Sequence, residues 1–346
     1  MLLRRSGLFF IALLLLLSAC QRPYLPAGTR PPSLQRAQSS QQAQLWEPTF
    51  RAAYQDVFAE HDPNQSGQIE ASEIAHAPRG LAQLDRNRDG ALSPAEALPE
   101  ARYFSLMVDL LTRSPQTVRG DADPLVNMPT PAEIQRFRES LTDKPENPAA
   151  RRQTYPVLLV PGYAEPSWYF MYGIYRELKQ AGWAVEGLNL FPNFAPAEEQ
   201  ARKVKTKVEE MLQRYGTDKI ELVVHSFGGL ISRYYIQELG GQHQVRNLVT
   251  IATPHHGTYT AYLGPGESAV QLRPGSDFLE KLNARGYIYP PVRYTAIWSN
   301  TDEIVIPPSN AIMPGATVHA VPWTGHLTIM FSQRSYNFIR EALLRP

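Results

Sequence analysis

The sequence predicts an α/β fold: a doubly wound, mostly parallel sheet of about six strands, with a small helical segment ahead of it. Two observations carry this reading. From Tyr155 onward, short apolar runs alternate with longer amphipathic ones, as strands and helices do when a parallel sheet is covered on both faces. Before that point, residues 62–73 and 85–96 repeat one acidic, glycine-centred pattern. A chain of 346 residues has room for one large domain and a smaller one. Its net charge of +1 supplies no basic field for nucleic acid, which removes that class of partner.

Residues 1–19 read as a leader. Arg4 and Arg5 precede "GLFFIALLLLL", an apolar stretch of signal-peptide length and short for a membrane span. It ends in "LSAC", which resembles a bacterial lipobox. The resemblance implies that Cys20 is lipidated and becomes the first residue of the mature chain. Cys20 is the only cysteine, so no internal disulfide can form. Acyl chains on it, at about 0.8 kcal/mol per buried CH₂, would make a durable anchor. Gln21 is the residue type that, by the same likeness, goes with export to the outer membrane of a Gram-negative bacterium. Residues 20–45 are then a lipidated cysteine and a polar, flexible tether.

Residues 46–111 hold the repeated loops, "DPNQSGQIEASE" and "DRNRDGALSPAE". A twelve-residue calcium loop needs oxygen ligands at positions 1, 3, 5, 7, 9 and 12 and a glycine at position 6. The first loop offers Asp62, Asn64, Ser66, the Gln68 carbonyl, Glu70 and Glu73. The second offers Asp85, Asn87, Asp89, the Ala91 carbonyl, Ser93 (directly or through water) and Glu96. Gly67 and Gly90 fill position 6, and Ile69 and Leu92 sit at position 8, where paired loops bury an apolar contact. Phe50, Tyr54, Val57 and Phe58 line one face of an entering helix. Two tandem matches predict an EF-hand pair binding Ca²⁺. Met107 is the only methionine between residues 46 and 111, so a methionine-rich sensor groove is absent and a structural role for the ion is favoured. The other reading, a pair of metal-free Asp/Asn turns, stays open.

Residues 112–152 are polar and broken by prolines. They contain one helix start, with Thr130 as cap, Pro131 at the first position and Glu133 completing a capping box. The domain at 153–346 follows. Its expected strands are 155–160, 184–190, 219–224, 246–252, 292–298 and 316–321, and its expected helices lie near 168–181, 197–215, 227–239, 276–284 and 328–344.

"LVVHSFGGL" (222–230) places Ser226 between the third strand and a glycine-rich helix start. A nucleophile elbow is such a strand–turn–helix, with small residues two before and two after the serine. Gly228 meets the rear requirement. The front position is Val224 instead of glycine, which predicts a slightly wider turn. A hydrolytic serine also needs a base and an orienting carboxylate. Asp302 follows the fifth strand in "WSNTDEIVIPP", and His326 follows the sixth in "VPWTGHLTI", so the order is Ser, Asp, His, all at one edge of the sheet. Glu303 is the rival acid. His225 reads as packing, His319 as a structural core histidine, and His255 and His256 as pocket lining. An oxyanion hole needs two backbone N–H groups. Phe227 and Tyr163, the latter in "VPGYAEP" after the first strand, are the candidates.

With these residues in view, the segment from about 155 to 346 resembles a bacterial lipase of the α/β-hydrolase superfamily. The matching stretches include "LLVPGY", "VVHSFGGLISRYYI", "LVTIATPHHGT", "SNTDEIVIPPSNA" and "GHLTIMFSQRSYNFIREAL". The resemblance implies a carboxylic-ester hydrolase in which Ser226 is acylated, His326 is base and then acid, and Asp302 orients it. It further implies a lid over 256–276, with Gly264 and Gly266 as hinges. An acyl-ester or lipid substrate at a membrane reached through the lipid anchor follows from this reading. Two alternatives remain: an acyltransferase or thioesterase on the same fold, and a catalytically idle, calcium-dependent binding lipoprotein, suggested by Val224 and the added loops.

Overall fold

A computed structural model gives the fold, with residues 62–74, 87–93, 155–165, 168–190, 194–264, 266–322 and 324–345 described. The leader, Cys20, the tether, the entering helix, Asp85, Glu96 and the connector lie outside the described residues.

Six strands form one sheet: β1 (Val157–Val160), β2 (Val185–Gly187), β3 (Ile220–His225), β4 (Val245–Ile251), β5 (Arg293–Trp298) and β6 (Thr317–Ala320). Their order is β2-β1-β3-β4-β5-β6, and every pairing is parallel. The central strands β1 and β3 are wholly buried, β1 entirely apolar and β3 apolar but for Glu221 and His225, as suits strands covered on both faces. Alternate side chains of β1 enter different cores. Val157 and Leu159 join Val223, Val249 and Ile297, while Leu158 and Val160 join Leu222, Val224 and Leu248.

A single helical turn, α1 (Ala71–Ile74), begins in the last positions of the first acidic loop and includes Glu73. In the sheet domain, α2 (Tyr172–Gln180) and α7 (Gln333–Leu344) cover the first face through Ile174, Leu178, Tyr336 and Ile339. The other face is covered by α3 (Ala197–Tyr215) and α4 (Phe227–Glu238), with α5 (Gly266–Gln271) and α6 (Asp277–Ala284) beyond them. On α3, Ala197, Ala201, Val204, Val208 and Met211 recur at helical spacing on the buried side. That helix ends at Gly216 in the left-handed region. Ser276 starts α6 by accepting the Leu279 N–H at 3.3 Å.

The chain leaves β1 for the edge strand β2, then returns to place β3 on the other side of β1. The strand order therefore reverses between β1 and β3. In open parallel sheets, a crevice forms at that point, outside the carboxyl ends of the strands. Ser226 and Gly162 stand there. One expectation is corrected at the far edge. His319 on β6 is half-buried and stacks on Phe338 with ring centroids 4.1 Å apart, so it belongs to an exposed edge strand and not to the core.

Candidate active site

Strand β3 runs directly into Ser226, which adopts φ 50° and ψ −123° before α4 begins at Phe227. A positive φ at a residue with a side chain costs about 1–3 kcal/mol and persists only where the surroundings impose it. Here the Ser226 N–H donates to the Ile251 carbonyl at 2.8 Å, and the Ser226 carbonyl accepts the Gly229 N–H at 3.1 Å. A Cβ on Gly228 would lie 2.6 Å from the carbonyl oxygens of both Val160 and Pro161, so the small residue is required by backbone contact. Val224 stays in register with Val160 and Thr250 and is fully buried. The close approach occurs at Gly228, while the Val224 side chain points into the core on one face.

The carboxylate and imidazole expected after β5 and β6 meet. His326 Nδ1 lies 2.8 Å from Asp302 Oδ2 and 3.1 Å from Oδ1, and both side chains are buried. Asp302 Oδ1 also accepts the N–H groups of Ile304 at 2.9 Å and Val305 at 2.8 Å, so the carboxylate cannot rotate freely. A carboxylate on Nδ1 fixes the proton there and leaves Nε2 as the basic nitrogen. Glu303 is placed differently. Its Oε2 accepts the backbone N–H of His326 at 3.1 Å and is not a partner of the ring. Burial, and then the neighbouring Asp302 charge, pushes the Glu303 carboxyl up to about 7. Of the two adjacent acids, the geometry gives the imidazole to Asp302.

Ser226 is almost fully buried, and among the described residues its hydroxyl has no hydrogen-bond partner. Catalytic contacts are commonly loose before substrate binds. The His225 ring, beside Ser226 in the chain, packs against that of His326 with centroids 4.7 Å apart.

His225 does more than the packing expected of it. Its Nδ1 meets Glu165 Oε1, and its Nε2 lies 3.0 Å from the His326 carbonyl oxygen. Glu165 Oε2 accepts the Gly162 N–H at 2.6 Å, closing a tight turn around Tyr163. A Cβ on Gly162 would lie 2.7 Å from Ser226 Cβ, so this turn sits against the elbow. Tyr163 is in this turn, and the Phe227 N–H, first in α4, has no partner within the helix. Both oxyanion candidates therefore border the elbow. Glu165 was not singled out in the sequence, where it appears only as an acid in a turn.

The segment proposed as a lid folds as a 3-10 turn (Tyr259–Leu263) followed by α5. Gly264 approaches Tyr163 so closely that a Cβ would lie 2.8 Å from the phenol oxygen. His255 is fully buried with Nε2 3.2 Å from Thr250 Oγ1, and His256 Nδ1 is 3.1 Å from the Tyr287 hydroxyl. Neither histidine contacts Asp302.

The acidic loops share one backbone form. Gln65 and Arg88 at position 4 have φ of 57° and 60°, and Gly67 and Gly90 at position 6 have 83° and 85°. No atom lies within 4 Å of a Cβ at either glycine, so glycine answers the conformation and not crowding. Ile69 and Leu92 exchange two antiparallel backbone hydrogen bonds, of 2.9 and 2.8 Å, and both are completely buried. In the first loop, Asp62 accepts from the backbone of Ser66 and Gly67, and Glu73 Oε2 accepts the Glu70 N–H at 2.8 Å. Ser66 donates to the Gln68 carbonyl, and Asn64 Nδ2 lies 3.4 Å from Glu70. In the second, Asn87 and Asp89 bond each other at 2.8 Å, and Asp89 accepts the Ala91 N–H. Ser93 is described beside Leu92. These oxygen-rich loops fit a hard cation. Among the described residues, no cluster of three or more His, Cys, Asp or Glu side chains is already gathered for a metal.

Comparison with solved structures places the sheet domain. A Bacillus licheniformis lipase in mature form superposes with a TM-score of 0.51, covering 58% of this chain and 96% of that one at 18% identity. The fold is that of the α/β-hydrolases. The same lipase in its propeptide form gives 0.50, over 59% of this chain and 53% of that one, at 19% identity. At these identities the likeness concerns the fold alone. In sequence, the palmitoyl protein thioesterase family matches residues 189–296. That span includes Ser226 and Phe227 but ends before Asp302 and His326. Triacylglycerol lipases of Pseudarthrobacter phenanthrenivorans and Burkholderia plantarii are each 33% identical over 111 residues, or 30% of this chain. The matched region spans about a third of those relatives, 34% and 30% respectively.

Proposed function

We propose that the protein is a serine hydrolase of carboxylic esters, a lipase or esterase working through an acyl-enzyme. One observation carries the reading. A buried carboxylate–imidazole pair, Asp302 and His326, stands at the same sheet edge as a serine held in a strained strand-to-helix turn. Asp302 keeps His326 Nδ1 protonated, so Nε2 removes the Ser226 proton as Oγ bonds to the ester carbonyl carbon. The carbonyl oxygen takes up the negative charge and receives the N–H groups of Phe227 and Tyr163. Collapse breaks the carbon–oxygen bond to the alcohol, which leaves with the proton held by His326. A water then repeats the sequence on the acyl-enzyme, releasing the carboxylic acid and restoring Ser226.

A second reading shares this machinery. The match to the palmitoyl protein thioesterase family makes an acyl thioester a competing substrate, in which a thiol leaves in place of the alcohol. The lipase relatives favour the oxygen ester. Lipidation of Cys20 would tether the enzyme in the cell envelope, at the outer membrane, close to acyl lipids. The paired loops would hold Ca²⁺ through Asp62, Asn64, Ser66, Gln68, Glu70 and Glu73, and through Asp85, Asn87, Asp89, Ala91, Ser93 and Glu96. The Ile69–Leu92 bridge supports a structural pair of this kind.

The test is a panel of short aryl esters, long triglycerides, phospholipids and acyl thioesters, run on the wild type beside Ser226→Ala. Triad loss costs on the order of 10⁶ in turnover. Loss of all hydrolysis in the variant supports the reading, with the ratio of ester to thioester rates choosing between substrates. An unchanged rate removes Ser226 from the chemistry.

A further inference from the structure

Glu165 and His225 are buried, ionisable and unused by the steps above. Both His225 ring nitrogens face oxygen: Nδ1 the Glu165 carboxyl group, and Nε2 the His326 carbonyl at 3.0 Å. A main-chain carbonyl can only accept a hydrogen bond, and so can an ionised carboxylate. With Glu165 ionised, each nitrogen carries a proton, which makes the ring an imidazolium paired with Glu165.

The pair joins three parts of the site. Glu165 Oε2 holds the Gly162 N–H at 2.6 Å and so shapes the turn that presents Tyr163. His225 directly precedes Ser226. Its Nε2 holds the main chain of His326, whose own N–H is held by Glu303 Oε2 at 3.1 Å. We propose that Glu165 and His225 form a buried ion pair of positioning residues, which sets the Tyr163 turn and the His326 backbone around Ser226 for acyl transfer. This rests on the serine-hydrolase reading.

A pH dependence follows. Loss of one ring proton leaves a single donor for two acceptors, so either the Glu165 or the His326 link breaks. Burial alone would lower the His225 pKa, but the Glu165 carboxylate outweighs it, and the net direction is upward from 6.5. The charged and titratable groups facing the ring are Glu165 from the turn after β1, Asp302 from the loop after β5, and His326 from the loop after β6. The positioned state is therefore favoured below the raised pKa of the ring and is lost as pH rises through it.

Two measurements on the full-length protein test this. In ¹⁵N NMR with labelled histidine, assigned by difference against His225→Gln, both His225 nitrogens should carry protons at about pH 6. A non-protonated Nδ1 there, as in a neutral pair with a protonated Glu165, overturns the ion pair. In kinetics, Glu165→Gln should lower kcat about 10- to 100-fold with KM little changed, the scale expected of a misplaced catalytic group. It should also move the alkaline limb to lower pH, and Glu165→Asp should recover part of both. If the folded fraction of Glu165→Gln, counted by active-site titration, keeps the wild-type kcat and pH profile, the pair does not position the site. An active Ser226→Ala would sink the hydrolase reading instead and leave the NMR result standing.

Discussion

Replacing Asp302 by Asn changes one atom, and the structure dictates what that atom does. Oδ1 accepts two main-chain N–H groups, from Ile304 at 2.9 Å and Val305 at 2.8 Å. In Asp302→Asn those donors select the amide oxygen for that position. The NH₂ group must then occupy the place of Oδ2, 2.8 Å from His326 Nδ1. Two donors cannot face each other, so Nδ1 gives up its proton and becomes the acceptor. The proton moves to Nε2, the nitrogen that should receive the Ser226 proton. The base is present but in the wrong tautomer. In serine proteases this exchange lowers kcat by about 10⁴, or about 5 kcal/mol of transition-state stabilisation, and the same scale is expected here. Because the fold contacts survive, the melting temperature should change by only a few degrees. Glu303→Gln, whose side chain reaches the backbone and not the ring, should cost less than about tenfold. The assay is steady-state hydrolysis of a chromogenic acyl ester by folded enzyme near neutral pH. Asp302→Asn within about tenfold of wild type, or Glu303→Gln as damaging as Asp302→Asn, would refute the assignment of the acid.

Three further outcomes follow from the geometry. Glu303 has its pKa raised from 4.5 to about 7 by burial and by Asp302, so its ionised form destabilises the fold. The stabilisation of the protonated form is complete below the unfolded pKa and is lost as pH rises through about 7. Glu303→Gln should therefore raise thermal stability at about pH 8, by at most about 3 kcal/mol and less where solvent screens the charge, with little gain at about pH 4. Equal melting curves at both pH values would contradict this. Gly228→Ala puts a methyl group 2.6 Å from two main-chain oxygens and should cost at least about 1–3 kcal/mol, read by denaturant unfolding; a neutral substitution would show that the elbow has slack. Millimolar calcium should raise the melting temperature of the wild type, by about 2.7 kcal/mol of stability at a hundredfold excess over Kd, and should do so far less in the combined Glu73→Gln, Glu96→Gln variant. Equal melting of both proteins in calcium would remove the structural role of the ion.

The sheet was readable because a buried parallel strand leaves a short run rich in β-branched, aromatic and apolar residues. "KIELVV" and "VRYTAIW" could hardly be anything else between amphipathic segments, and β3 and β5 fall on them. Asp302 and His326 were readable for a topological reason: each follows its own strand at the carboxyl edge, as Ser226 does, and the structure brings the carboxylate and the imidazole to 2.8 Å. What lay hidden depends on side-chain direction and close approach. Asp302 and Glu303 are neighbours of one charge. Only the N–H groups of Ile304 and Val305 decide which of them turns to the imidazole. The Glu165–His225 pair joins residues sixty positions apart. In the sequence these are a turn acid and a histidine beside a serine, and nothing brings them together until β1 and β3 are paired. The close approach at Gly228, 2.6 Å from two main-chain oxygens for any added Cβ, likewise needs β1 and β3 paired before it appears. His319 looked like a core residue because alternation in a strand does not announce that the strand is an edge.

The most direct test of the central claim is covalent trapping of the nucleophile. An aryl or fluoroalkyl phosphonate ester should phosphonylate the intact protein once, and peptide mass spectrometry should place the adduct on Ser226. Labelling should fall sharply in His326→Ala, which lacks the base. An adduct on another residue, or full labelling of Ser226→Ala, would contradict the account.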